Sequence, residues 1–290
     1  MCVLAVVTTI AFWTQGDSSI DPLVMHPAAF HGEPWRLLTS ALPHAGMLHL
    51  VFNLYWTWIF GTLIEERLGS GLTVGLAVFI AAGSSAAEYA VMWGGIGLSG
   101  VVYGLFGFLW ILQRRDPRFL GTLPHSIVQL MVAWFFICIF LTWSGMMPIA
   151  NVAHGAGAAI GVALGLALAA KSPVEKAQMA ALNVAAVLAL VAAATVALPT
   201  VNVAGAGNRD LAWRGVMALE EGRVSEGMAL IGRAAAVGAF DPDVADRFEE
   251  LRQDLNERAR SPNPGGAAPG SPPPDSGTLP EERAGGGEDP

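Results

Sequence analysis

The chain has 290 residues, of which 53% are hydrophobic and only 14% charged. Soluble domains average about 25% charged residues, and here the apolar residues come in long blocks, so the composition points to a multi-span membrane protein. Residues 1–200 carry 7 Lys/Arg and 8 Asp/Glu, a net of −1, whereas residues 201–290 carry 9 and 16, a net of −7. Two different materials are joined near residue 200. There is no basic cluster of the kind that binds nucleic acid. Cys2 and Cys138 both sit in apolar runs, where packing is the expected role, and they leave no disulfide framework.

Seven apolar segments follow one another at roughly 1–14, 46–64, 71–93, 98–113, 125–143, 148–170 and 180–198. The first is short: fourteen residues cover about 21 Å of a hydrocarbon core about 30 Å thick. It also lacks the basic start and small-residue cleavage site of a signal peptide. The expectation is that the native N-terminus lies upstream of Met1. The loop 15–44 that follows holds one basic residue, Arg36.

Segment two opens with HAGMLHLVFN, which carries His44, His49 and Asn53. His49 and Asn53 are four apart and share a helix face. His44 and His49 are five apart, roughly 140° around a helix, a poor match to the i, i+4 pair of an HExxH zinc site. No metal and no cofactor is expected. The three side chains are donors of the kind that stabilise an oxyanion; the plainer reading is that His44 and Asn53 satisfy loop backbone near the interface. Segment three contains Glu88, the only acid well inside an apolar segment. It is expected to reach the interface or a polar neighbour.

Segment four opens with GLSGVVYGLFG, residues 97–107, with Ser99 between Gly97 and Gly100. A serine in a membrane helix commonly bonds back to a carbonyl. Gly100, Gly104 and Gly107, however, form a small face that admits a second helix. Segment six supplies a match in NVAHGAGAAIGVALG, residues 151–165. His154, Gly157, Gly161 and Gly165 fall at offsets of +3, +7 and +11, one helical stripe. Histidine inside a membrane segment is costly and marks a functional position.

Lys and Arg in the short loops set the orientation. Arg67, the group Arg114, Arg115 and Arg118, and the pair Lys171 and Lys176 fall on one side if every segment spans. That side is expected to be cytoplasmic. Segments two, four and six then all start at the outer face, with Ser99 and His154 at similar depth. Nucleophile and general base are the roles such a pair can fill. No Asp lies inside the apolar segments, which removes the aspartyl intramembrane chemistry and leaves His154 with no evident acid to orient it.

After segment seven, residues 208–258 read as soluble and helical, with two short amphipathic helices turning near Glu221-Gly222. They are similar to a single tetratricopeptide-like hairpin, a small appendage offering a surface to another protein. Residues 259–290 are rich in Pro, Gly and acid and are expected to be disordered. The domains expected are a core over 1–170, a seventh span over 171–200, the appendage over 205–258 and the tail.

Taken together, Trp35-Arg36, the His44/His49/Asn53 series, GTLIEERLGS at 61–70, GLSG at 97–100 and AHGAGAAIG at 153–161 resemble the rhomboid intramembrane serine proteases, especially the bacterial GlpG-like branch. The resemblance covers roughly residues 30–170. It implies an all-α polytopic membrane protein of the bacterial inner membrane, with a six-helix core and a site open to the extracytoplasmic side. The seventh helix and the appendage would be additions. It implies that Ser99 attacks a peptide carbonyl and His154 takes the proton. The Ser99 amide with His49 and Asn53 would form the oxyanion hole, and Tyr103 would stack on His154. His44 and Gly97, Gly100, Gly157 and Gly161 would support the site, and Glu65 and Trp35-Arg36 would be structural. Phe52 matches a position tied to substrate entry; for its partner on segment five, Phe136 and Trp134 both qualify. Substrates would be transmembrane segments of other proteins in the lipid bilayer. Two other readings are an inactive rhomboid-like protein that binds membrane clients, and a small-solute transporter. Against the first, both Ser99 and His154 are present; against the second, the polar residues cluster off-centre and no broken-helix pair is evident.

Overall fold

A computed structural model describes residues 1–16, 19–30, 32–92, 94–192, 207–237 and 242–260. Among these all regular structure is helical. The bundle is built from α1 (Cys2–Gln15), a short α2 (Arg36–Thr39), α3 (Met47–Leu68), α4 (Ser70–Val91), α5 (Ser99–Arg115), α6 (His125–Trp143), α7 (Asn151–Ala169) and α8 (Pro173–Ala192). Five of them, α3, α4, α6, α7 and α8, are long and apolar enough to cross a membrane; α5 has 17 residues and α1 has 14. The chain is a multi-pass membrane protein.

The expected segments and the observed helices differ mainly at their ends. α3 runs past residue 64 through Glu65, Glu66 and Arg67, because helix geometry outlasts the apolar run. It stops at Gly69, whose φ of 83° is the left-handed conformation that favours glycine. α8 begins at Pro173, seven residues before the apolar run at 180. Its start is set by a capping box: the Glu175 amide donates to Ser172 Oγ (3.1 Å), and Glu175 Oε2 accepts from the Ser172 amide (3.4 Å). Pro173 at the first helical position loses no bond there. Residues 193–198 of that segment lie outside the described residues.

The loop before α3 is itself built. It contains a 3-10 turn (Pro27–Phe30), and Arg36, nearly buried, ties it together. The Arg36 guanidinium donates to Glu33 Oε2 (2.5 Å), to the Val24 carbonyl (2.9 Å) and to the Asp21 carbonyl. Trp35 Nε1 donates to the Pro22 carbonyl (3.2 Å).

The bundle is organised around α5. Gly100 through Leu109 and Leu112 are all buried, the pattern of a helix enclosed on every side. In contrast, α6 buries only Met131 and Cys138, and α8 only Asn183 and Val187, so both lie at the periphery. α5 and α7 approach backbone to backbone. A Cβ on Gly157 would run into the Gly100 carbonyl, and one on Gly161 into that of Gly104. A Cβ on Gly165 would lie 3.0 Å from the Phe108 carbonyl oxygen. The register advances by four on both helices, so they run parallel. Lipid offers no hydrophobic drive for helix pairing, so close packing of small residues and Cα–H···O contacts must supply it.

The basic residues gather at the C-terminal ends of α3, α5 and α7. There Arg67 Nε donates to the Arg118 carbonyl (2.9 Å), and Arg115 and Lys171 flank one cleft. Beyond the bundle, α9 (Gly207–Glu220) and α10 (Val224–Val237) pair across a turn at Gly222, and α11 (Pro242–Arg260) adds a third helix against α9. α9 lies against the 3-10 turn, with the His26 and Trp213 rings edge-on at 5.6 Å. The tail from 261 onward lies outside the described residues.

The glycine contact makes a directional prediction. Gly161→Ala drives its Cβ into the Gly104 backbone, whereas a Cβ on Gly155 meets nothing nearer than Phe135 Cζ at 3.8 Å. Gly161→Ala should therefore destabilise the bundle by about 1–3 kcal/mol, and Gly155→Ala should be neutral or stabilising. Thermal unfolding of the two variants in one detergent measures the difference.

Candidate active site

Ser99 is the first residue of α5, preceded by Leu98, which supplies no side-chain cap. The first amides of any helix lack intrahelical partners, and the helix dipole makes that end positive. Ser99 therefore stands with its hydroxyl and amide at an electropositive helix start. The loop that delivers it is pinned from two sides. The Gly97 amide donates to the Ser40 carbonyl (3.2 Å), and the Leu98 amide donates to His44 Nε2 (3.3 Å). Gly97 has φ 106°, and a Cβ there would lie 2.7 Å from His49 Cε1. Only glycine fits on both counts.

His44 is fully buried. Since Nε2 accepts from Leu98, its proton is on Nδ1, which faces the Leu42 carbonyl at 2.9 Å and Thr9 Oγ1 at 3.4 Å. The Trp13 indole donates to the His44 carbonyl (3.0 Å), so α1 braces this corner. His44 thus buttresses the loop that carries Ser99. The His49 ring stands 4.8 Å from that of His44 and against Gly97, which brings it beside the Ser99 loop. Asn53 is buried one turn further along α3, and its amide donates to the His49 carbonyl (2.8 Å). One of its two N–H groups is thereby used within its own helix.

His154 lies in the first turns of α7, one turn before Gly157, which meets Gly100; Ser99 directly precedes Gly100. The glycine contact therefore sets Ser99 and His154 at the same end of one interface. His154 is 4% exposed, and its ring lies 4.8 Å from that of Tyr103 with 34° between the planes. Tyr103 in turn donates to the Met131 carbonyl of α6 (3.2 Å). Neither the Ser99 hydroxyl nor either nitrogen of His154 is hydrogen-bonded among the described residues, and His154 Nδ1 is buried without a partner. The ring is held by stacking and packing alone. Reactive pairs often close only around substrate.

Ser99 lines a small cavity of about 20 Å³ together with Ser40, Ser84, Ser85, Glu88 and several apolar residues. Ser84 also sits against Gly100, where a Cβ would come within 2.6 Å of its Oγ. On the lateral side the Phe52 and Trp134 rings touch, 5.4 Å apart, linking α3 to α6. Phe136 is 63% exposed on the outer face of α6 and packs on Phe135. The contacts with Thr9 and Trp13, the Ser84–Gly100 packing and the reach of Glu88 had no positional signal in the sequence beyond the presence of an acid in an apolar helix.

Burial, followed by the neighbouring His49 ring, lowers the His44 pKa from 6.5 to about 4. Its folded-state pKa lies below the unfolded value, so the unfolded chain takes up the proton first as pH falls. The contribution of His44 to stability is complete above pH 6.5 and is lost progressively down to about pH 4. Wild type should lose thermal stability across that window. His44→Gln keeps an acceptor for the Leu98 amide but does not titrate, and should show a shallower pH dependence in the same melting experiment.

Residues 31–171 match the family model for the Rhomboid domain. The matched stretch runs from the loop before α2 to just past α7, and takes in the buttressed Ser99 loop, the glycine interface and the His154 turn. The chain is a member of the rhomboid family, an intramembrane-protease-like family of multi-pass membrane proteins.

Proposed function

We propose that this rhomboid is an active intramembrane serine endopeptidase working through a Ser99–His154 dyad. The observation that carries the reading is the pairing of an uncommitted hydroxyl at a helix N-terminus with an uncommitted buried imidazole, at one end of a rigid glycine-packed interface. In this mechanism Ser99 Oγ attacks the scissile carbonyl carbon while His154 accepts the hydroxyl proton. The developing oxyanion is met by the Ser99 amide, the His49 ring and the free N–H of Asn53. His154 passes its proton to the leaving amine as the C–N bond breaks, leaving an acyl ester on Ser99. Water, deprotonated by His154, then cleaves the ester. The cavity behind Ser99, about 20 Å³ and edged by the Ser40, Ser84 and Ser85 hydroxyls, has room for about one such water.

The substrate class is a transmembrane segment of another protein. A stable helix hides its carbonyls in its own hydrogen bonds, so the segment must unwind at the site. Entry between α3 and α6 is favoured by the loose burial of α6, with the Phe52–Trp134 contact as gate and Phe136 facing lipid. The positive-inside bias favours a cytoplasmic basic end and a site toward the extracytoplasmic side, and the resemblance to the bacterial branch favours the inner membrane.

Ser99→Ala should abolish cleavage of a model single-span substrate in a folded protein, and His154→Ala should be nearly as damaging. Combining them should cost little more than either alone, since the two act as one unit. Asn53→Ala should lose about 10²–10³ in rate, the usual cost of one oxyanion donor. A fluorophosphonate should label wild type and not Ser99→Ala. Wild-type cleavage by Ser99→Ala would overturn the dyad, and failure of the wild type to cleave or label would favour the client-binding reading instead.

The side of the membrane has its own test. α9 rests on the loop at the Ser99 end, so a C-terminal tag should be removed by protease added to intact spheroplasts. Protection until lysis would refute the orientation.

A further inference from the structure

A buried carboxylate that the dyad does not use lies behind the site. Glu88 is 3% exposed near the end of the largely apolar α4, an expensive place for an acid unless its oxygens are bonded. Its Oε2 accepts from the Ala153 amide at 2.8 Å, and Ala153 directly precedes His154. α7 needs that acceptor. The residue before it, Ala150, supplies no side-chain cap, and Asn151 spends its amide on Thr142 Oγ1 of α6 (2.8 Å). Among the described residues, Glu88 is the side chain that satisfies an amide in the first turn of α7.

We infer that Glu88 is a positioning residue which, from α4, caps the first turn of α7 and so sets the height and rotation of His154. The inference rests on the protease reading above. Its logic follows from what His154 lacks. No acid and no hydrogen bond orients the ring, whose Nδ1 is unpartnered, so its placement depends on the Tyr103 stack and on the backbone of its own turn. A helix start without a local cap frays, and a frayed first turn no longer fixes the position or rotation of the side chains it carries. Glu88 also lines the cavity under Ser99, so one side chain touches the wall behind the nucleophile and the turn that carries the base.

The test uses the full chain in liposomes with a single-span substrate, reading kcat, KM, the fluorophosphonate labelling rate and the unfolding midpoint. Glu88→Gln retains an acceptor oxygen and should keep kcat within about threefold of wild type. Glu88→Met has similar length and no acceptor. It should lower kcat and the labelling rate together by about 10–100-fold, the order expected for misplacing a reacting group by about 1 Å, with KM unchanged. Rescue by Gln and the kcat-selective loss separate positioning from bulk stability, which would lower the melting midpoint and leave the folded fraction at full rate. Wild-type kcat in Glu88→Met overturns the inference, as does a folded Glu88→Gln as slow as Glu88→Met. Should Glu88→Met not fold, Glu88→Gln decides alone: folded and within threefold supports the acceptor role, folded and more than tenfold slower overturns it. A wild type that neither cleaves nor labels would sink the protease reading itself, whereas an active wild type with an unaffected Glu88→Met would sink only the role of Glu88.

Discussion

The contact on which the rest depends is the backbone-to-backbone approach of α5 and α7. Gly100 and Gly104 on one helix meet Gly157 and Gly161 on the other so closely that no Cβ fits. In lipid, two apolar helices gain little by leaving the acyl chains, so their pairing must come from close packing and weak Cα–H···O contacts, both of which need small residues. The same contact fixes a common register. Ser99 and His154 flank its first pair of glycines, so the interface that holds the bundle together also determines where the two groups stand relative to each other.

Around that contact the polar groups are anchored by partners from several elements. His44 holds the Leu98 amide, Ser40 holds Gly97, Arg36 gathers the carbonyls of the preceding loop, and Asn151 bridges to Thr142. Each is a buried polar group that would be costly without its bond. The Ser99 hydroxyl and the His154 ring make no hydrogen bond among the described residues. Other buried polar atoms also lack a partner, Trp56 Nε1, Thr57 Oγ1 and Trp110 Nε1 among them, but His154 is the one that stands beside the Ser99 end of the glycine interface.

The periphery is built differently. α6 and α8 bury two residues each and present the rest outward, and α6 meets α3 beside the site through the Phe52–Trp134 rings. The α6 side of the bundle is thus far less tightly sealed than its centre. At the same end, α9 leans on the loop held by Arg36 through Trp213 and His26.

Much of this was legible in the sequence, for two physical reasons. Apolar run length reports membrane spans because lipid satisfies no backbone group, and α6 falls on the expected 125–143. Helical periodicity reports faces, so the stripe of His154, Gly157, Gly161 and Gly165 could be read as one surface aimed at a partner helix. Helix ends were less legible. Capping chemistry decides them, and the Ser172–Glu175 box started α8 well before its apolar run. What only the tertiary structure decided are the contacts between residues far apart in the chain. Nothing in periodicity could tell that Glu88 would reach the Ala153 amide 65 residues away, that Thr9 and Trp13 would brace His44, or that Trp134 and not Phe136 would meet Phe52. Those pairings depend on the rotation and height at which each helix packs, and a one-dimensional pattern specifies the face of a helix without specifying the residue it will face.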